Sequence, residues 1–510
     1  MPPSPEPKKT ALPLLLLGVA ALALLAADWY WLYKPAAGQV SGDTLIHLIF
    51  ARNAADGRPF EFNPGFPSRA LTAPLWNWLL TLAGVVTGTV KDPEAFLLIF
   101  RVLSLAVLAL ALRLVWGLSR QLGATTIWTA AGVLVVLTNP STFYWTAANP
   151  METSGAVLLT LAFIWWAGWT VRDPGFWRWV TGGALTMAGF LMRPELLVFG
   201  GLSGLAAGCL TPVRQWKNAL GYPLALAAGL GAWTLFLRAS GLAVLPNAGS
   251  ARRLMLLLED ASSLPVFSIP YSPDAAIFLA LFAPLVLGAI LLLRDSRPFA
   301  RAAALAGLLI AAFCLFFFTF YFYTTWQGRY LLPAVFAVVP PGVAGLSQAF
   351  RAWKPLHVSL GAVGYATLLA ILLIRPLGVY ADAPRQRSLL RPAYVQPGPD
   401  DRRILVQEIQ SAYFYPELFH VCTEGLIGLE SLEARRRDLS VLEFIQEQQP
   451  DLIGLGRYPL KDPEDVVAKI REAASAGSGL SLPGLDLVFL GPMEGCGPVF
   501  RVRKAPSLPQ

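Results

Sequence analysis

Gly-Asp-Thr-Leu-Ile-His (42–47), continued by Ala-Arg-Asn-Ala-Ala-Asp-Gly-Arg-Pro-Phe-Glu-Phe-Asn-Pro-Gly (51–65), follows closely on the first long apolar run of the chain. Asp43 is therefore a carboxylate set at a membrane surface within an overwhelmingly hydrophobic sequence. An ionisable group so placed is a functional-site hypothesis in its own right. The segment after it is polar and rich in turn residues, which predicts an elaborate outer loop. Helix, acid and loop together point to chemistry at the lipid–water boundary.

The chain has 510 residues, 55% of them hydrophobic and 14% charged, with a mean hydropathy of +0.54. A soluble domain carries about a quarter charged residues, so this is the composition of a polytopic α-helical membrane protein. Sixteen Trp and forty-one Pro fit interfacial anchoring and interrupted helices. The formal charge of +8 does not imply nucleic acid. Much of the Lys and Arg lies in short clusters between apolar runs, where it sets orientation and meets anionic membrane lipid. Lys8 and Lys9 precede the run Ala11–Ala27, and Trp29, Tyr30, Trp31 and Tyr33 follow as an aromatic belt. That is the pattern of an uncleaved signal anchor, with the helix continuing to about Tyr33. Cys209 and Cys314 fall in apolar runs and read as packing residues. Cys422 and Cys496 lie in the polar C-terminal part and could pair on an oxidising face of the membrane.

A spanning helix needs about 20 apolar residues. Runs of that kind lie at roughly 12–33, 97–119, 126–146, 153–171, 179–193, 195–211, 219–238, 275–293, 302–322, 330–350 and 356–375, with an ambiguous one at 72–90. With the N-terminus inside and 72–90 re-entrant or interfacial, the inner loops hold Arg113/Arg120, Arg172/Arg178, Arg214/Lys217, Arg294/Arg297/Arg301 and Arg351/Lys354. This series satisfies the positive-inside rule, and the opposite parity reverses all of it. The expectation is about 11 transmembrane helices with the C-terminus outside. From about Ala381 the composition turns polar and Pro-rich, and 383–401 reads as a linker. Beyond it, Arg403–Ile409 and Leu485–Leu490 predict strands, and Val441–Gln448 and Glu464–Ala474 predict helices. The chain is thus expected to divide into a membrane domain over 1–380, with a first outer loop at 34–96, and a small extracytoplasmic α/β domain over 381–510.

This topology gathers the unusual polar residues on the outer side. They are Asp43, Glu152, Arg193, Glu195, Asn247, Arg252, Arg253, Arg329 and Tyr330. The inner loops are short and carry little beyond basic anchors.

The stretch Gly-Asp-Thr-Leu-Ile-His…Phe-Asn-Pro-Gly…Leu-Thr-Ala-Pro-Leu-Trp (42–76) resembles the first outer loop of the GT-C superfamily of polyprenyl-phosphate-dependent glycosyltransferases. It is similar to the branch that contains mycobacterial terminal arabinofuranosyltransferases. Met-Glu-Thr (151–153), Arg-Pro-Glu (193–195), Leu-Pro-Asn (245–247) and Gly-Arg-Tyr-Leu-Leu-Pro (328–333) match in order, as do Val-Gln-Glu-Ile (406–409) and Pro-Asp-Leu-Ile (450–453) in the C-terminal part. The resemblance is patchy but spans nearly the whole chain. One departure matters: many relatives carry two adjacent acids at the first site, and here Gly42 precedes Asp43. A divalent metal held by an acidic pair is therefore in doubt.

The resemblance implies transfer of a sugar from a polyprenyl-phosphate donor to an acceptor hydroxyl of a glycan or protein, usually with inversion, on the outer face of the cytoplasmic membrane. Such an attack needs a positioned base for the hydroxyl proton, and Asp43 is the candidate. The leaving polyprenyl phosphate gains charge as it departs, and arginines near the headgroup stabilise that change. Arg252, Arg253 and Arg329 are the candidates. Each residue also has a plainer reading. Asp43 could cap the helix that follows it, Glu152 the start of 153–171, and Glu195 the helix after it, while Arg193 offsets a helix C-terminus. Arg252 and Arg253 could simply meet lipid headgroups. His47 lies four residues from Asp43 on the same helical face, a spacing a metal pair could use, but no third ligand is evident. A transporter or flippase of lipid-linked sugars would account for the same outer basic residues. It predicts equal polar investment on both faces. A membrane scaffold whose outer domain binds a partner leaves Asp43 unexplained.

Overall fold

The structure is a computed structural model that describes residues 8–30, 42–63, 65–68, 71–242, 273–321, 331–382, 397–406, 412, 415, 417–422, 434, 437–454, 465–483, 485–493 and 497–503. The chain forms two compact units. The first comprises Met1–Ala37, Phe100–Trp233 and Pro265–Ala383, and the second Gly38–Ile99, Thr234–Leu264 and Pro384–Gln510.

The first unit is helical. Its elements are α1 (Lys8–Asp28), most of α4 (Pro93–Gln121), α5 (Thr126–Leu137), the short α6 (Pro140–Phe143), a π-helical turn at Tyr144–Ala148, α7 (Thr153–Arg172), α8 (Phe176–Met192) and α9 (Leu196–Leu210). There follow α10 (Trp216–Ala219), most of α11 (Gly221–Ala239), α12 (Pro273–Leu292), α13 (Pro298–Tyr321), α14 (Leu332–Ala349) and α15 (Pro355–Asp382). Among the described residues the runs expected to span are largely helical, and that at 126–146 breaks where Asn139 accepts from Ser141 N at 3.0 Å and restarts the chain as α6. The first helix ends at Asp28 with a π turn at Trp29–Tyr30, and residues 31–41 lie outside the described ones. Among the described residues, six helices are long and apolar enough to cross a membrane: Ala11–Asp28, Pro93–Gln121, Thr153–Arg172, Val213–Ala239, Pro298–Phe316 and Leu332–Ala349. Helix α14 is the hub of this unit. It is buried from Leu332 through Gly345 and packs on α12 through Gly342 and Gly345, which meet Gly288 backbone to backbone. Any Cβ at these glycines would collide with the opposing backbone, the small-residue contact by which helices in a membrane approach closely. Cys314 is buried in α13, as a packing residue should be, but Cys209 is exposed on α9, so it is not a packing residue of the core.

The second unit joins the first loop to the C-terminal segment. Helix α2 (Gly42–Ala55) leads into a small antiparallel hairpin of β1 (Glu61–Asn63) and β2 (Phe66–Pro67), and then into α3 (Pro74–Thr87). The ambiguous run at 72–90 is thus α3, 14 residues closed by Gly88 at φ 68, a conformation glycine adopts without strain. The C-terminal segment builds a six-stranded sheet in the order β4-β3-β5-β8-β7-β6. Its strands are β3 (Arg403–Val406), β4 (Phe419–Cys422), β5 (Leu452–Gly454), β6 (Leu480–Leu482), β7 (Leu485–Met493) and β8 (Gly497–Arg503). Strand β3 runs parallel to β4 and β5, and the remaining pairs are antiparallel. Alternation along the short apolar β3 serves both faces. Leu405 faces a core with Phe444, Ile445 and Ile470 of α16 (Val441–Gln448) and α17 (Val466–Ala476), while Ile404 and Val406 face a second cluster with Tyr415, Leu452 and Val499.

Candidate active site

Asp43 lies in the first turn of α2 and is half-buried. One turn on, His47 is 5% exposed, and its Nδ1 is 3.4 Å from the side-chain amide of Asn77 on α3. The ring therefore belongs to the seam between α2 and α3, where Thr81 Oγ1 also reaches the carbonyl of Ala51 at 3.4 Å. The same helix is fixed at its far end by Asn53, whose Nδ2 donates to the carbonyls of Glu61 at 3.0 Å and Phe62 at 3.2 Å. Phe50 and Phe62 meet edge-on, with centroids 5.8 Å apart. Asp43 is thus carried by a helix whose other faces are held, while its own side chain keeps access to solvent.

The hairpin beside α2 is tied to the C-terminal sheet. Asn63, 6% exposed, donates from Nδ2 to the carbonyl of His420 and accepts at Oδ1 from the His420 N–H, both at 2.9 Å. Phe66 packs edge-on against Phe419 at 4.8 Å, and Arg52 Nη2 donates to the carbonyl of Ala412 at 3.3 Å. The His420 ring is buried, and its Nδ1 donates to the carbonyl of Leu418 at 2.9 Å. Burial, reinforced by the nearby Arg52 charge, pushes its pKa down to about 4, so the ring is neutral at pH 7.

In the first unit, buried Glu152 and Arg193 form one ion cluster with the partly exposed Glu195. Arg193 is 4% exposed. Its Nη1 is 3.5 Å from Glu152 Oε1, and its Nη2 pairs with Glu195 Oε1. The turn that permits this follows from Arg-Pro-Glu: proline forces the preceding residue out of the helical region, and Arg193 ends α8 extended at φ −160, ψ 135. Neither glutamate caps its helix through its side chain, although each occupies the N-cap position, of α7 and α9 respectively. The capping reading of both thus gives way to ion pairing. The hydroxyls of Thr153 and Ser154, in the first turn of α7, are buried and have no hydrogen-bond partner among the described residues. Arg101, a residue that the apolar run 97–119 concealed, reaches from α4 to the carbonyl of Ala148 at 3.4 Å, just ahead of Glu152. The signal for it was an arginine inside a membrane run. Asn63 gave no sequence signal beyond its place in Phe-Asn-Pro-Gly. Asn247, Arg252, Arg253, Arg329 and Tyr330 lie outside the described residues, as does Cys496.

No profile of a known protein family matches the chain. In sequence it is 30% identical over 213 residues to the terminal beta-(1->2)-arabinofuranosyltransferase of Mycobacterium tuberculosis (strain ATCC 25618 / H37Rv). That match covers 40% of this chain and 32% of the length of that protein. In structure it is similar to ArnT from Cupriavidus metallidurans in the apo state, with a TM-score of 0.57 at 13% identity over 95% of this chain and 97% of that one. The Archaeoglobus fulgidus oligosaccharyltransferase in the apo form gives a TM-score of 0.49 at 12% identity, over 86% of this chain and 69% of that one. The architecture is that of a multi-pass membrane protein with the GT-C fold. Within that class, the chain resembles the terminal arabinofuranosyltransferases in sequence, as the 42–76 stretch implied.

Proposed function

We propose that the protein is an integral membrane glycosyltransferase that moves a sugar from a polyprenyl-phosphate donor to an acceptor hydroxyl at the outer face of the cytoplasmic membrane. The observation that carries this reading is Asp43 itself: a half-buried carboxylate in the first turn of a braced helix, in a chain whose fold follows ArnT along nearly its whole length. The acceptor oxygen attacks the anomeric carbon, Asp43 takes its proton, and the bond from that carbon to the phosphate oxygen breaks with inversion. The polyprenyl phosphate leaves as a monoester carrying one more negative charge. Arg252, Arg253 and Arg329 are proposed to meet that charge, with Asn247 and Tyr330 in support. Interactions stronger at that moment than in the ground state accelerate the step. The Glu152–Arg193–Glu195 cluster fixes the start of α7 against the α8–α9 turn and is proposed to serve a supporting role. The resemblance to arabinofuranosyltransferases makes a pentofuranose the first sugar to try, with a cell-envelope glycan as acceptor.

The test supplies purified protein with a radiolabelled polyprenyl-phosphate pentose and candidate acceptors, with Asp43→Asn in parallel. Transfer by the parent and its loss in the variant, with donor binding intact, support the reading. Full activity of Asp43→Asn removes the base assignment. Donor translocation without transfer by either form favours a transporter.

A further inference from the structure

We infer that Asn63 is a positioning residue that couples the edge of the C-terminal sheet to the helix bearing Asp43, an inference that rests on the reading of Asp43 as the base. Among the described residues strand β4 is an edge strand, paired with β3 alone. The outward N–H and C=O of such a strand need partners when buried. At His420 both are met by one side chain, the Asn63 amide, which donates and accepts at 2.9 Å as a neighbouring strand's peptide would. Asparagine suits this task because its side chain holds a donor and an acceptor in one plane at the reach of a peptide group. The two residues lie 357 positions apart in the chain, so the clamp closes a long loop on a single amide. From Asn63 the connection runs through β1 to Asn53, which ties Glu61 and Phe62 to the last turns of α2, and along that helix to Asp43. The Phe66–Phe419 contact and the Arg52–Ala412 hydrogen bond flank the clamp and limit its rotation. The C-terminal sheet thereby sets the placement of the base although its own strands lie far from Asp43 in sequence. A displacement of about 1 Å at a reacting group can cost on the order of a hundredfold in rate, so a small tilt of α2 is enough to be measured.

The experiment compares Asn63→Ala and the isosteric Asn63→Asp, each alone and combined with Asp43→Asn. Its readouts are kcat, donor KM and hydrogen exchange over residues 42–55. Asn63→Asp keeps size and shape but turns the donor into a second acceptor facing the His420 carbonyl, so it serves if the alanine variant fails to fold. The expected result is a fall in kcat of about tenfold to a hundredfold at unchanged donor KM, faster exchange over 42–55, and no further loss when the Asn63 change is added to Asp43→Asn. An unchanged kcat overturns the inference, as does a loss of equal size in both backgrounds or a loss confined to KM. Inactive Asp43→Asn beside fully active Asn63 variants sinks the coupling alone, whereas fully active Asp43→Asn sinks the base assignment and the coupling with it. If no donor is turned over by any form, unaltered exchange over 42–55 in Asn63→Asp still overturns the coupling.

Discussion

Asp43 and Glu152 are both acids at the start of a helix, one in each unit, and their surroundings are opposite. Glu152 is 7% exposed, faces Arg193, and shares that guanidinium with Glu195. Asp43 is half-buried, on a helix that has bracing contacts at His47, Ala51 and Asn53. The first is nearly closed to solvent, and the second is partly open to it. The difference teaches that access, and not residue type, separates an acid that holds the framework from an acid that can work on a substrate. A buried carboxylate needs its cation, because the desolvation of either partner alone is large.

The sharpest way to break the contrast is to neutralise each acid without changing its shape. Asp43→Asn is expected to slow transfer by about a hundredfold to ten-thousandfold, the range for a lost general base, with little change in thermal stability. Glu152→Gln should do the reverse, lowering the unfolding temperature in detergent far more than the rate. Equal loss of rate in the two variants, at equal stability, would remove the distinction. Next in size comes Arg193→Met, which strands two carboxylates around an apolar side chain. Breaking a buried pair in this way destabilises by about 3–5 kcal/mol, readable as a thermal-unfolding shift, and replacing the whole triad with packed apolar residues should recover part of it.

Much of the membrane scaffold was legible because helices in lipid announce themselves by long apolar runs, and the described parts of the expected runs are largely helical, six of the helices being long and apolar enough to cross. The break at Thr138–Asn139 was hidden, since a π turn and a capped four-residue helix leave hydropathy unchanged. In the C-terminal part Val441–Gln448 was readable from its 3.6-residue periodicity and is α16, but β4, β5, β6 and β8 were not foreseen. Three of those strands are only three or four residues long, and such short apolar runs carry too few turns of any period to be told apart. Among the site residues, Arg-Pro-Glu signalled a turn, yet nothing local told that Arg193 would reach back to Glu152, 41 positions away by their numbers. The Asn63–His420 clamp was invisible for the same reason: tertiary partners of a single amide leave no pattern in sequence.

The amide clamp should also respond to acid. His420 has a folded-state pKa of about 4 against an ordinary value of 6.5. Between these values the unfolded chain binds more protons than the folded one, so stability rises with pH across the window and is lost as pH falls from 6.5 toward 4. The loss amounts to about 3 kcal/mol when complete. It should show first as lower protection from hydrogen exchange, relative to the intrinsic rate at each pH, in β4 and in the 61–68 hairpin, and His420→Leu should flatten the profile. A pH-independent protection in β4 over that window would mean the ring is solvated in solution.

The smallest effect tests why Glu152 and Glu195 do not cap while another glutamate does. At the start of α16, Ser440 Oγ accepts from the Glu443 N–H at 3.3 Å, and the Ser440 N–H donates to Glu443 Oε2 at 2.8 Å. These hydrogen bonds hold the Glu443 carboxyl below its ordinary range. The geometry works because glutamate stands three residues into the helix, from where its longer side chain reaches back to the cap residue, while the short serine sits at the cap. Glu152 and Glu195 occupy the cap position itself, where their length carries the carboxylate past the helix N–H groups and onto Arg193. Ser440→Ala should therefore lower the stability of the sheet unit by about 1 kcal/mol. Glu152→Ser, which places a good cap residue at the start of α7, should fail to repair the damage, because what it removes is the partner of a buried cation. Recovery of full stability in Glu152→Ser would show that the helix terminus, and not the ion pair, was what the glutamate served.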